Sequence, residues 1–284
     1  MSRIPLSKLL RISRPRFWIY TFGPYIVGLL IGARNLDQLN DWRVIVFGLF
    51  FLFPANLFIY GINDIFDYET DIRNPKKISY ETMVQPDEQR VLTKIICLLS
   101  APFLATLLFL PAFAMWALVG FIFFSFFYSA PPIRAKAWPV LDSAFNILYA
   151  CPAFFAYYLT GGENFVLSYV LAAWLWTMAM HAYSAVPDIS ADRQAGLKTV
   201  ATKFGFQSTL MLCLIAYALS AGLSFAALSW LSVVLGAIYI AMMWLSVRAG
   251  SEEGVLKIYT AFPFLNMASG AALFIFILKT KFFA

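Results

Sequence analysis

Apolar runs of about 20 residues recur from one end of this chain to the other, and they constrain it more than any motif does. A helix advances about 1.5 Å per residue and the bilayer hydrocarbon is about 30 Å thick, so each run is long enough to cross. Of 284 residues, 61% are hydrophobic and only 13% charged, with a mean hydropathy of +0.75, which excludes an ordinary soluble domain. The runs predict about nine membrane helices, at approximately 17–33, 43–62, 91–110, 112–128, 139–159, 165–186, 208–228, 230–248 and 256–278. Only Pro111 and its neighbours separate the third from the fourth. The expected fold is an all-α, multi-pass membrane helix bundle formed by a single domain, 1–284. Gly28 and Gly32, at i and i+4, would admit another helix closely.

Lys and Arg set the orientation. Of the 21, all but Arg34, Arg43, Lys279 and Lys281 fall on the side of the N-terminus, which is therefore expected in the cytoplasm. An odd number of spans would put the C-terminus outside, and Lys279 and Lys281 run against that. The basic N-terminal residues resemble a signal-peptide n-region, but no small-residue cleavage site follows, so a retained first span is expected. The net charge of +6 is this topology signal and carries no indication of nucleic-acid binding. A basic cytoplasmic face suits an anionic substrate or anionic lipid. Cys97, Cys151 and Cys213 all fall inside predicted helices and read as buried small apolar residues.

Against this background the acids stand out. Asp64, Asp67, Glu69 and Asp71, four of only fifteen Asp and Glu, fall within eight positions at the end of the second run. In a continuing helix Asp64, Asp67 and Asp71 lie at i, i+3 and i+7 on one face, and Asn63 joins them at i−4 from Asp67. Carboxylates are disfavoured at a helix C-terminus, so the cluster needs a cation: Lys76 and Lys77, or a metal. Asp188 and Asp192 form a second pair at i and i+4 at the end of the sixth run. His181, the single histidine, precedes Asp188 by seven positions and would share its face.

Both acidic faces are expected at the cytoplasmic mouth, in loops at about 63–90, 128–138 and 187–207. Facing each other they would repel, and Mg2+ would resolve this, because it takes oxygen ligands from one or two carboxylates and from phosphates. Lys76, Lys77, Arg134, Lys136 and Lys198, with Arg14 or Arg16 as further candidates, supply the cations a phosphate needs. The pattern fits a diphosphate held through metal ions. If diphosphate leaves, an allylic cation remains, and the 29 Phe, 14 Tyr and 8 Trp provide faces that attract a cation, although most must face lipid.

Asn63-Asp64-x-x-Asp67-x-x-x-Asp71 resembles the first aspartate-rich motif of the UbiA superfamily of intramembrane prenyltransferases. Asp188-x-x-x-Asp192-x-x-x-Gly196-x-x-Thr199, with Lys198 and Gly205, resembles the second. Tyr128-Ser129 followed by Arg134 and Lys136 resembles the Tyr-(Ser/Thr)-basic loop between them. The resemblance implies a nine-helix bundle around a central cavity open to lipid, and Mg2+-dependent transfer of a prenyl group from a prenyl diphosphate to a lipophilic acceptor. It implies metal or diphosphate roles for Asn63, Asp64, Asp67, Asp71, Asp188 and Asp192, with Tyr128, Lys136, Lys198 and Arg134 on the diphosphate. The Asn74-Pro75-Lys76-Lys77 tail, where quinone-pathway members carry an Arg-rich stretch, looks most like the carotenoid branch, the lycopene elongases. That implies dimethylallyl diphosphate as donor and a lycopene-like polyene as acceptor. The product cation then loses a proton or gains water, and His181 is the candidate base. Two other readings stand beside this one: a prenyltransferase acting on a quinone precursor or other lipid, and an ion-coupled secondary transporter. Transporter sites lie near the midplane, whereas these acids lie at the membrane edge.

Overall fold

The computed structural model describes residues 4–72 and 82–283, and all regular structure in them is helical. In chain order the helices are α1 (Leu6–Ile12), α2 (Ile19–Gly32), α3 (Trp42–Leu52), α4 (Pro54–Phe66), the short α5 (Tyr68–Asp71), α6 (Pro86–Ala105) and α7 (Ala112–Ser129). They continue through α8 (Leu141–Ala144), a 3-10 turn at Phe145–Tyr149, α9 (Cys151–Leu159) and α10 (Leu167–Ala185). A second 3-10 turn at Val186–Asp188 leads into α11 (Ile189–Gln194), α12 (Val200–Phe204), α13 (Phe206–Leu228), α14 (Trp230–Ala249), α15 (Glu252–Tyr259) and α16 (Phe262–Phe282). These helices divide between two compact units. The first comprises Met1–Ile133, Cys151–Glu163 and Ile277–Ala284; the second comprises Arg134–Ala150 and Asn164–Phe276.

Six segments are long and apolar enough to cross a membrane: Trp42–Phe66, Pro86–Phe109, Ala112–Ser129, Phe206–Leu228, Trp230–Ala249 and Glu252–Phe282. Three expected spans are not among them. In the first, α2 has only 14 residues. The run at 139–159 is broken into α8, a 3-10 turn and α9. α10 is long enough, but Trp174, Trp176, Thr177, His181, Tyr183 and Ser184 make it less apolar.

In the first unit α9 packs against α2 and α7. The approach to α2 is very close: a Cβ added at Gly28 would lie 2.2 Å from the Ala153 carbonyl oxygen, and one at Gly32 would lie 2.2 Å from that of Tyr157. The Gly28/Gly32 spacing thus does what its sequence pattern predicts. Beside this contact Phe47, Phe50, Phe51, Phe121 and Phe155 are fully buried. Ring centroids lie 4.5 Å apart for Phe47–Phe155 and 4.6 Å for Phe50–Phe103, and such pairs add about 0.5–1.5 kcal/mol each to simple burial. This set of aromatics forms a packed core and does not face lipid.

The second unit is held differently. α13 packs along α10 and α14, and hydroxyls cross between these helices. Ser220 Oγ donates to the Ala172 carbonyl at 2.8 Å, Ser224 and Ser232 pair at 3.0 Å, and Tyr183 and Ser246 at 2.9 Å. In lipid such bonds matter because apolar side chains gain nothing by leaving one apolar medium for another. Of the cysteines, Cys151 and Cys213 are buried as expected, whereas Cys97 lies on the exposed face of α6.

Candidate functional site

The first acid motif depends on how the second apolar run is broken. Pro54 has no N–H to continue the helix, so α3 ends at Leu52 and α4 starts afresh. The carbonyls left over are taken up by side chains. Asn56 Nδ2 lies 3.0 Å from both Phe51 O and Leu52 O, and Thr21 Oγ1 donates to Phe51 O at 2.7 Å. The far end of α4 is then anchored by an apolar cluster of Leu9, Ile12, Leu57, Phe58, Ile62, Val84, Leu92 and Ile96. Glu88 ties this cluster to the chain start: it accepts from the Gln85 N–H at 2.9 Å, capping α6, and pairs with Lys8 at 2.5 Å.

On that support Asp64 and Asp67 are buried, at 8% and 4% exposure. Arg14 Nη2 donates to Asp64 Oδ1 at 2.8 Å, and its guanidinium lies 4.7 Å from the Tyr60 ring centroid, one turn earlier on α4. Arg14 is therefore the near counter-charge of Asp64. The motif is not one helix as the spacing suggested: α4 stops at Phe66, Asp67 is its cap at φ −103° and ψ −1°, and Tyr68–Asp71 forms a separate turn. Asn63 Oδ1 is buried and accepts no hydrogen bond among the described residues. Lys76 and Lys77 lie outside the described residues. Tyr128 is half-buried at the end of α7.

The second motif lies in the second unit, and it too is less regular than its spacing implied. Pro187 interrupts α10, a 3-10 turn follows, and Asp188 becomes the N-cap of α11 at φ −110° and ψ 7°. Asp188 and Asp192 are half-buried, the first capping one short helix and the second lying within it. The intervening turn takes His181 out of any continuous helical face with Asp188. Ser190 fastens α11 to α15, its N–H and Oγ donating to Glu252 at 3.1 and 2.7 Å. Beyond α11, Gly196 turns the chain at φ +72°, a conformation that suits glycine. Thr199 then caps α12 reciprocally with Thr202, and Lys198 is exposed just before it. Arg134, exposed with φ +43°, and half-buried Lys136 open the same unit.

The sequence reading missed one buried acid here. Asp142, in α8, is 1% exposed. Its Oδ2 accepts from the Val200 N–H at 2.8 Å, its Oδ1 accepts from the Ser143 N–H at 2.8 Å, and His181 Nε2 lies 3.9 Å from Oδ2. An acid inside a predicted apolar span is itself a signal, and it was present in the sequence.

The two motifs offer hard oxygen donors, the ligand type Mg2+ takes, and the buried Asn63 oxygen without a hydrogen-bond partner suits a cation. Among the described residues no group of three or more His, Cys, Asp or Glu gathers as a protein-only cage. Mg2+ needs none when one or two carboxylates share it with phosphate and water.

Residues 21–270 match the UbiA prenyltransferase family. The chain is 37% identical over 265 residues to a lycopene elongase/hydratase of Haloarcula japonica, covering 93% of this chain and 89% of that protein. It is 38% identical over 259 residues to that of Haloferax volcanii, covering 91% and 84%. Among solved structures, a UbiA homolog from Archaeoglobus fulgidus bound to DMAPP and Mg2+ superposes with a TM-score of 0.66 at 25% identity, covering 94% of this chain and 99% of the other. The same homolog bound to GPP and Mg2+ also gives 0.66, at 26% identity and the same coverage.

Proposed function

The chain belongs to the UbiA prenyltransferase family and is an integral membrane prenyltransferase; from that premise we propose that it transfers the dimethylallyl group of dimethylallyl diphosphate to lycopene or a related carotenoid. Membership of an enzyme family replaces the ion-coupled transporter reading. The observation that carries the choice of acceptor is the level of identity, 37% and 38% over nearly the whole chain, to proteins named lycopene elongase/hydratase. The Asn74-Pro75-Lys76-Lys77 tail of the first motif supports the same branch.

Asn63, Asp64, Asp67, Asp71, Asp188 and Asp192 would hold Mg2+. When bound, Mg2+ neutralises the diphosphate and makes it a better leaving group. Tyr128, Arg134, Lys136, Lys198, Lys76 and Lys77 bind the diphosphate oxygens, and Arg14 holds Asp64 in place. The allylic C–O bond breaks with its electron pair on the diphosphate. The terminal π bond of the polyene then forms the new C–C bond and leaves a tertiary cation. That cation loses a proton, for which His181 is the proposed base, or takes up water. The basic loops and the N-terminus face the cytoplasm, where the soluble donor is met.

The acceptor is tested with membranes carrying the protein, Mg2+, labelled dimethylallyl or longer prenyl diphosphates, and a panel of lycopene and quinone precursors. The expected product is lycopene enlarged by dimethylallyl-derived units, with or without added water. A labelled quinone product with lycopene untouched would replace the carotenoid assignment.

A further inference from the structure

We propose that Asp142 is a positioning residue for the second acid motif, its buried carboxylate fixing where the chain returns after α11 and hence where Lys198 and Thr199 sit; this rests on the prenyltransferase reading above. A carboxylate at 1% exposure is costly to bury and persists only when its oxygens are satisfied. Here each oxygen accepts a backbone N–H: Ser143 at 2.8 Å holds the carboxylate in its own turn, and Val200 at 2.8 Å is the first residue of α12. The Val200 bond is long-range and acts on the segment that carries the motif. Gly196 at φ +72° frees the chain to turn, Thr199 caps the helix, and Asp142 takes the next orphan N–H from outside.

A second, independent feature points to the same residue. Val140, two positions before it, adopts φ +78° and ψ −46°. A β-branched residue there is strained and is kept only where the surroundings over-determine it. That strained turn is followed by Asn146 Nδ2 donating to the Asp142 carbonyl at 2.7 Å and Trp174 Nε1 donating to Ala144 O at 2.8 Å, which pin α8 against α10. A broken, strained helix placed to present one carboxylate is hard to explain as packing, since a leucine would fill the space without desolvating a charge. His181, a sequence candidate, lies 3.9 Å from the Asp142 carboxylate; in the chain, Lys136 precedes Asp142 by six positions and Lys198 precedes Val200 by two.

The test uses the full chain in lipid nanodiscs, with the variants Asp142→Asn and Val200→Pro. Asn keeps the shape but turns an amide donor towards one backbone N–H. Proline at the first helical position removes the N–H from the other side, and the extended Thr199 (φ −93°, ψ 168°) tolerates a following proline. Both variants should raise KM for dimethylallyl diphosphate and the Mg2+ concentration for half-maximal rate by about fivefold or more, with KM for the carotenoid unchanged. Both should speed hydrogen exchange at 195–204 and leave α13 and α14 as in the wild type. A uniform rise in exchange across the second unit, or fewer active molecules with unchanged KM and Mg2+ dependence, would show an ordinary core residue and overturn the proposal. The exchange arm does not need turnover. A wild-type chain that transfers no prenyl group ends the prenyltransferase reading, whereas unchanged exchange at 195–204 in both variants ends this one.

Discussion

The two acid motifs resemble each other in composition and differ in how they are held. In the first unit Asp64 is buried in the last turn of α4 and Asp67 at its C-cap, and Asp64 is balanced by Arg14 at 2.8 Å. In the second, Asp188 and Asp192 are half-buried on a short helix, and the segment is fixed through backbone N–H groups to two other carboxylates, those of Asp142 and Glu252. The first motif is set by side-chain charge pairing on a rigid element. The second is set by where its backbone is fastened. Similar chemistry is thus supported by different means, and substitutions should separate them.

The largest effect is expected from the acids themselves. Asp67→Ala or Asp188→Ala should each lower prenyl transfer by about a thousandfold or more, and chelation with EDTA should abolish it, as measured by product formation in membranes. Near-equal residual activity with and without EDTA would remove the metal from the account. Next, Arg14→Ala leaves Asp64 buried without its cation and should cost about 3 kcal/mol in thermal unfolding in detergent. Adding Asp64→Asn should recover much of that stability while activity stays lost, because a neutral amide needs no counter-charge but cannot replace the carboxylate. Ser190→Ala, at the second motif, should leave stability within about 1 kcal/mol and mainly weaken diphosphate binding. If Arg14→Ala were as mild as Ser190→Ala, the contrast between the motifs would collapse.

Packing sharpens the comparison further. Gly28→Ala in α2 places a methyl against the Ala153 backbone at 2.2 Å and should destabilise by about 1–3 kcal/mol or more. Gly222→Ala in α13 of the second unit meets nothing within 4 Å and should be neutral or slightly stabilising, since alanine is the better helix former. The smallest effect belongs to Lys257→Gln, which breaks an exposed pair with Glu253 and should leave the melting temperature unchanged.

Much of this was legible in the chain itself. Hydropathy located six segments long and apolar enough to cross a membrane, and the Gly28/Gly32 spacing predicted a close helix contact. The rarity of acids singled out Asp64, Asp67, Asp71, Asp188 and Asp192. Periodicity failed at Asp67, where α4 stops, and at Pro187, where α10 gives way to a 3-10 turn. Pro54 and Pro187 split helices that a spacing argument treats as continuous, because apolar runs continue through a break when side chains such as Asn56 and Thr21 repair it. The Arg14–Asp64 and Asp142–Val200 contacts join residues 50 and 58 positions apart, and no local pattern encodes them. Asp142 was hidden in a run counted as a simple span, although its charge there was itself a warning.

The central claim is that both motifs serve one Mg2+-dependent departure of diphosphate. The direct measurement is release of diphosphate from dimethylallyl diphosphate, in the presence of lycopene, by the wild type, Asp67→Asn and Asp188→Asn across a Mg2+ titration. The account predicts release by the wild type that rises with Mg2+ and near-complete loss in each single variant. Full release in either variant, or release independent of Mg2+, would contradict it.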